Sequence, residues 1–180
     1  GVEAMVGDKI LRFGADREVV LSLGAVHTPK VLMQSGIGPA NELRRHGIPI
    51  VQGLPGVGEN HQDHIAFGCT WEYLKPQLVG GGGCEAVLYA KIDARLPAPD
   101  IVQCQLEFAV PPPPEVGLQA PEHGWTMFAG LAQPKSRGRV RLSGPQPNDP
   151  IIVTPNSLSD PQDMETAFRT IAIVRNAVSI

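Results

Sequence analysis

No apolar run in this chain approaches the ~18 residues that a membrane-spanning helix needs, and no signal-peptide or lipidation motif is visible. The chain opens with Gly1 inside an expected strand, which points to a cut in a longer polypeptide, so that second absence says nothing about the parent. Cysteine is scarce. Cys69, Cys84 and Cys104 are scattered and odd in number, which argues against a disulfide framework. Reduced thiols in a cytoplasmic protein are the expectation. Basic clusters are also few: Arg44-Arg45, and a strip of Lys135, Arg137, Arg139 and Arg141. With a net charge of −3, nothing electrostatic favours a nucleic-acid or anionic-membrane partner.

What is present is globular. Hydrophobic residues make up 42% and charged residues 18% of 180 positions, values unlike those of a disordered chain. A chain of this size buries roughly two thirds of its unfolded surface, as one domain or two small ones. There is no internal repeat.

Apolar and polar residues alternate over 1–6 and 9–13, and Gly7-Asp8 between them signals a hairpin. Arg17–Leu23 is rich in Val and Leu and reads as a buried strand stopping at Gly24-Ala25. A helix is expected from Thr28-Pro29, with Thr28 as N-cap and Pro29 at the first helical position. It should end at Gly36. Pro39–His46 is a second helix with Leu43 inward and Gly47 after its end, followed by a short strand over Ile48–Val51. Gly53, Pro55, Gly56 and Gly58 then make a tight loop up to Asn60.

From Ile65 onward strands dominate: 65–73, 86–92, 101–110, 126–132 and 138–142. Gly80–Gly83 reads as a flexible loop and Pro111–Pro114 as an extended one, since proline cannot join a ladder. Asp160–Ala177 is an amphipathic helix, capped by Ser159 or Asp160. Its expected apolar stripe is Met164, Phe168, Ile171, Val174 and Val178. Two regions follow: 1–64 with the βα character of part of a nucleotide-binding domain, and 65–180 as strands followed by a helix.

At Gly24-Ala25-Val26-His27-Thr28-Pro29, small residues lead into a helix N-terminus. There a ligand can approach bare backbone, and free N–H groups suit a phosphate. An ordinary strand-to-helix turn explains the same residues. His61, Asp63 and His64 have a spacing compatible with zinc, but no further ligand cluster accompanies them, so no metal is expected. Gly80–Gly83 lacks the Lys-Ser/Thr of a phosphate loop. The basic strip has period two and suits one solvated strand face.

The order of motifs resembles the glucose-methanol-choline (GMC) oxidoreductases. GAVHTPKVLMQSGIG (Gly24–Gly38) is similar to their second signature at Gly24, Ala25, Thr28, Pro29, Leu32-Met33 and Ser35-Gly36-Ile37-Gly38. LPGVGEN (Leu54–Asn60) with Gln62-Asp63-His64 resembles the block that follows. Pro134–Leu142 resembles a substrate-domain strand, and Pro155-Asn156 with Leu158-Ser159-Asp160 the lead-in to the next helix. His61 stands where the family usually carries Leu and reads as a surface substitution. The SGIGPA and PGVGENxQDH wording is nearest to choline-dehydrogenase-like bacterial members.

The resemblance implies an α+β / α/β fold. Residues 1–64 would be part of a Rossmann-like FAD-binding domain, and 65–180 part of a substrate domain with an antiparallel sheet and helices on one face. It implies FAD, a small-molecule alcohol substrate, and hydride transfer from the alcohol carbon to flavin. Gly24 and Ala25 would form the backbone edge nearest the adenosine side of FAD, with Thr28 as the cap fixing that edge. Asn60, Asp63 and His64 would shape the flavin-side loop and the domain junction. Strand residues 101–107 and 126–131 would line the substrate cavity. The family's Gly-x-Gly-x-x-Gly turn and its catalytic-histidine segment are absent from these 180 residues. No residue here is therefore assigned a catalytic role, and a central fragment, inactive by itself, is expected. Two alternatives stay open: a non-catalytic binding or structural module on the same scaffold, and an FAD-containing hydroxynitrile-lyase-like member.

Overall fold

The structure is a computed structural model that describes residues 1–75 and 83–177. The Gly80–Gly82 part of the expected glycine loop and Val178 of the expected helix stripe lie outside the described residues. The chain divides into two compact units: Gly1–His61 with Arg137–Asn156, and Gln62–Ser136 with Ser157–Ile180. The first unit thus ends close to the cut expected after His64, but it also takes back a later strand pair.

In the first unit, β1 (Val2–Val6) and β2 (Lys9–Phe13) form the antiparallel hairpin, with Gly7 at φ +59° in the turn. Arg17–Leu23 is not a strand. It has no ladder, and Val20 is 75% exposed. Its β-branched residues favour an extended chain, but a strand exists only where a neighbour accepts its hydrogen bonds. Helix α1 runs over Gly24–Gln34, beginning four residues before the expected Thr28. It ends as expected, with Gly36 at φ +82° and its N–H on the Met33 carbonyl. Helix α2 (Ala40–Arg45) follows Pro39, and the Gly47 N–H closes it on Arg44 O at 3.1 Å.

Two short parallel strands, β3 (Ile37–Gly38) and β4 (Gln52–Gly53), pair across α2. The expected strand over Ile48–Val51 is displaced to β4, because the Val51 and Gln52 N–H groups are drawn to Gly36 O. Strand β5 (Glu59–His61) falls where the glycines and proline predict a loop up to Asn60. It pairs with β10 (Gly138–Leu142), which in turn pairs with β11 (Ile151–Thr154), a strand the sequence reading missed. Met33, Leu43, Ile48 and Leu142 form the core of this unit, with Val57 against it.

The second unit is a four-stranded antiparallel sheet in the order β6 (Ala66–Glu72), β9 (Gly124–Leu131), β8 (Ile101–Leu106), β7 (Cys84–Ala90). These strands match the alternation read from sequence. Helix α3 (Pro161–Ala177) packs on β9. Asp160 caps it by accepting the Gln162 N–H at 2.8 Å. Ile101, Ala129 and Leu131 are buried on one face, the face that also carries Cys69 opposite Met127. Arg175 of α3 opposes the rise that burial imposes on the Cys69 thiol. The other face carries Val87, Tyr89 and Phe128, which remain exposed. A mixed α/β fold with an antiparallel sheet and a helix on one face is therefore present, as the resemblance implied.

The buried side of α3 differs from the expected stripe. Asp163, Thr166, Ala167, Thr170 and Val174 are buried, while Met164 is 38% and Phe168 65% exposed. The polar residues go inward because they have partners. The Thr170 hydroxyl donates to Thr166 O at 2.8 Å, and Asp163 receives the loop before β10. Periodicity identifies an apolar stripe, but hydrogen bonds at the helix start set its rotation about its axis.

Candidate functional site

Gly24, Ala25 and Thr28 lie together at the N-terminus of α1. Gly24 holds φ +77°, and a Cβ there would meet no atom within 4 Å. Gly24 and Ala25 are exposed, no side chain caps the helix, and its first turn carries no acidic residue. The helix start is thus bare backbone with the positive end of the dipole facing outward. Thr28 is not the N-cap. It sits at the fifth helical position, and its hydroxyl accepts the Leu23 N–H at 3.1 Å. That back-reaching bond works as a capping box does, securing the N–H of the residue just before Gly24. Pro29 lies inside the helix rather than at its first position, so the Ala25 carbonyl lacks the usual i+4 donor. Thr28→Val should lower stability by about 1 kcal/mol, checked by urea titration of the full chain.

Asn60 lies at φ +60° in β5. The register on β10 shifts there, since Gly138 faces His61 and Arg139 faces Glu59, so Asn60 is the bulged residue. Asn tolerates the left-handed conformation because its short side chain can bond locally. Gly58, at φ +80°, packs against the Val140 carbonyl, and its own carbonyl accepts the Val140 N–H at 2.6 Å. The glycine loop is therefore pinned to β10.

Asp63 and His64 belong to the second unit, just past the boundary between His61 and Gln62. Asp63 accepts the His64 N–H at 2.9 Å. The His64 Nδ1 lies 2.8 Å from Leu131 O. A carbonyl only accepts, so Nδ1 carries a proton and donates it to Leu131 O. His61 is not a surface substitution: it is half-buried, and its Nδ1 is buried without a hydrogen-bond partner. Among the described residues no group of three His, Cys, Asp or Glu side chains could hold a metal ion.

The basic strip alternates as read. Lys135, Arg137 and Arg139 are exposed between buried neighbours, but Arg141 turns in and pairs with Glu59, 4.0 Å from Glu42 as well. Glu42 was missed from sequence. It is 4% exposed, accepts the Leu142 N–H at 3.1 Å and pairs with Arg45 at 3.1 Å. Asp163 was also missed. Its carboxylate accepts the N–H groups of Lys135 and Ser136, both at 2.7 Å, and the Ser136 hydroxyl at 2.5 Å. Ser136 Oγ then accepts the Asp160 N–H at 3.1 Å, and Asn156 donates to Arg137 O at 3.2 Å. The two late motifs, Pro134–Leu142 and Pro155–Asp160, are thus tied together by these bonds.

The thiols fall into a pair and a single. Burial pushes Cys69 up, and Arg175 opposes this. Burial, then the neighbouring Cys84, pushes Cys104 up. Among the described residues no helix is long and apolar enough to cross a membrane.

These features occur in a chain whose residues 1–66 and 134–179 match the GMC oxidoreductase family models. The chain belongs to the GMC oxidoreductases. It is 34% identical to an alcohol dehydrogenase [acceptor] of Pseudomonas putida over 88% of this chain and 33% of that protein. It is 31% identical to an oxygen-dependent choline dehydrogenase of Rhizobium etli (strain CFN 42) over 97% of this chain and 36% of that one. It spans about a third of the length of these curated relatives. Among solved structures, pyridoxine 4-oxidase from Mesorbium loti aligns with TM-score 0.73 and 31% identity, over 84% of this chain and 30% of that chain. Formate oxidase from Aspergillus oryzae RIB40 aligns with TM-score 0.78 at 24% identity, over 93% and 38% of the two chains, and is a likeness of fold.

Proposed function

We propose that this chain is part of an FAD-dependent oxidoreductase acting on the CH–OH group of a small alcohol. The observation that carries the reading is the start of α1. It is an exposed, uncapped helix N-terminus led by Gly24, with open space where a Cβ would point. Such a terminus fits the anionic, hydrogen-bond-accepting dinucleotide half of FAD. Gly24 and Ala25 would hold that half by backbone, and Thr28 would keep the turn in place through Leu23. Asn60, Asp63 and His64 would shape the loop toward the flavin half. His64 would be held in orientation there by its Nδ1–H donated to Leu131 O. When bound, the flavin supplies the hydride acceptor; the protein positions the alcohol and excludes water.

The alcohol dehydrogenase and choline dehydrogenase relatives support an alcohol substrate. Of the strand segments expected to line its cavity, Ile101, Gln103, Ala129 and Leu131 are buried on the α3 side. Val102, Cys104, Leu106 and Phe128 lie on the other face and would be the positions turned toward substrate. The three unbridged thiols suit a reducing, cytoplasmic setting.

The test uses the protein together with its flanking coding sequence. Purification should yield stoichiometric FAD by absorbance after heat release, and anaerobic addition of choline or a primary alcohol should bleach the flavin band. Gly24→Asn keeps the left-handed backbone accessible but adds a side chain in the open space. It should leave the circular dichroism unchanged and lower flavin content at least tenfold. Full flavin content in that variant would overturn the Gly24 assignment. Absence of flavin in the unsubstituted protein would overturn the enzymatic reading and favour the binding-module alternative.

A further inference from the structure

Helix α1 is weakly held at its start. That end has no side-chain cap, Pro29 removes an internal hydrogen bond, and residues 14–23 before it join no ladder. Met33, buried in the core, and the Gly36 carbonyl, which accepts the Val51 and Gln52 N–H groups at 2.8 and 3.1 Å, secure the far end. Lys30 and Gln34 stand at i and i+4, so they share one face of the helix. Both reach the loop between β10 and β11. Lys30 Nζ donates to Pro147 O at 2.8 Å and to Asp149 O at 2.7 Å, and Gln34 Nε2 donates to Gln146 O at 2.6 Å.

The composition of that loop explains why it takes donors from α1. Pro145, Pro147 and Pro150 bring carbonyls but no N–H groups. The N–H groups of Gln146 and Asp149 are used inside the loop, on Asp149 Oδ2 at 2.7 Å and on Gln146 O at 3.0 Å. The remaining carbonyls need donors from outside, and an ammonium group offers only donors. The loop is also fixed at its base, where Leu142 pairs with Ile151 and the Ser143 hydroxyl donates to Pro150 O. A helix tied to it is therefore tied to the β10–β11 hairpin.

The same hairpin holds the Asn60 loop. β10 pairs with β5 across the bulge, and the Val140 N–H binds Gly58 O. One returning segment, Arg137–Asn156, thus braces both the α1 helix and the Gly58–Asn60 turn within the first unit. Lys30 lies about 9 Å along the helix axis from Gly24, and its ammonium is committed to the loop. It acts on the helix start through the helix. We propose that Lys30, with Gln34, is a positioning residue that clamps α1 to the β10–β11 loop and so fixes the Gly24–Ala25 terminus relative to the Asn60 loop for FAD. This inference rests on the cofactor reading proposed above.

The experiment takes the protein with its flanking coding sequence, strips the flavin and titrates FAD by fluorescence quenching. Lys30→Met removes both bonds at similar side-chain length. It should raise the FAD Kd about tenfold, the factor expected when the binding-competent terminus falls to about a tenth of the population. Gln34→Leu should act in the same direction. The α1 amides of flavin-free Lys30→Met should exchange faster with deuterium, and the alcohol KM at saturating FAD should not change. An unaltered Kd in Lys30→Met, with flavin bound by the unsubstituted protein, overturns this inference alone. No flavin in the unsubstituted protein overturns the cofactor reading and this inference with it. A difference that vanishes at about 1 M salt, where charges are screened beyond ~3 Å, assigns the effect to the Lys30 charge and sinks the clamp. Ser136→Ala, in the second unit, is the control for general stability: an equal rise in Kd there also rules the clamp out.

Discussion

Asp163→Ala should destabilise the chain by about 3–5 kcal/mol, because two backbone N–H groups and a hydroxyl lose their acceptor at once, each buried donor costing ~1–3 kcal/mol when unpaired. Asp163 is 2% exposed and accepts from Lys135 N, Ser136 N and Ser136 Oγ. The Ser136 hydroxyl can rotate to another acceptor, but the two amides cannot. Typical domain stabilities are ~5–15 kcal/mol, so this one change consumes a large part of the margin. Ser136→Ala should cost less, about 1–2 kcal/mol, since both backbone bonds to Asp163 survive and only Oγ is lost. Urea titrations of the full chain check the order. If Ser136→Ala proves as severe as Asp163→Ala, the backbone bonds are not what carry the effect.

Gly138→Ala should cost about 3 kcal/mol, at the upper end of overpacking penalties. A Cβ at Gly138 would meet the Thr154 carbonyl oxygen and stand 2.5 Å from Pro155 O and 2.7 Å from Pro155 C, all backbone atoms that cannot rotate away. Gly53→Ala is the matched control. It is also a strand glycine, but its Cβ would meet nothing within 4 Å, and the change should fall within ~0.5 kcal/mol of neutral. Equal thermal midpoints for the two variants would show that β11 and the segment after it yield to a methyl group, contrary to the close packing seen at Gly138.

The same two positions mark where reading the sequence stops. Gly138 and Asp163 both lie in or beside stretches that resemble family motifs, yet nothing local says that one faces a backbone carbonyl or that the other bonds a loop 27 residues earlier. Glu42 is similar. In sequence it is an ordinary helix acid, and only the approach of β10 makes it the acceptor for Leu142. The Thr28-Pro29 pair misled for a local reason. It is a good helix-start signal, but Gly24 can take φ +77° and begin the helix earlier, after which Thr28 reaches back to Leu23. Arg17–Leu23 and the apolar stripe of α3 misled for a non-local one. Both are patterns that ask for burial, and burial depends on which neighbour arrives.

Residues 2–13, the Pro39-led helix, the four alternating strands of the second unit and the Asp160-capped helix were determined by the sequence itself. Turn chemistry, capping and side-chain alternation act within a few residues. The family followed from the resemblance of its motifs, in their order, to those of the GMC oxidoreductases. The return of Arg137–Asn156 to the first unit, the bulge at Asn60 and the inward polar face of α3 were decided only by tertiary structure. Each depends on hydrogen-bond register between segments far apart in sequence, and a shift of one residue there changes which side chains meet.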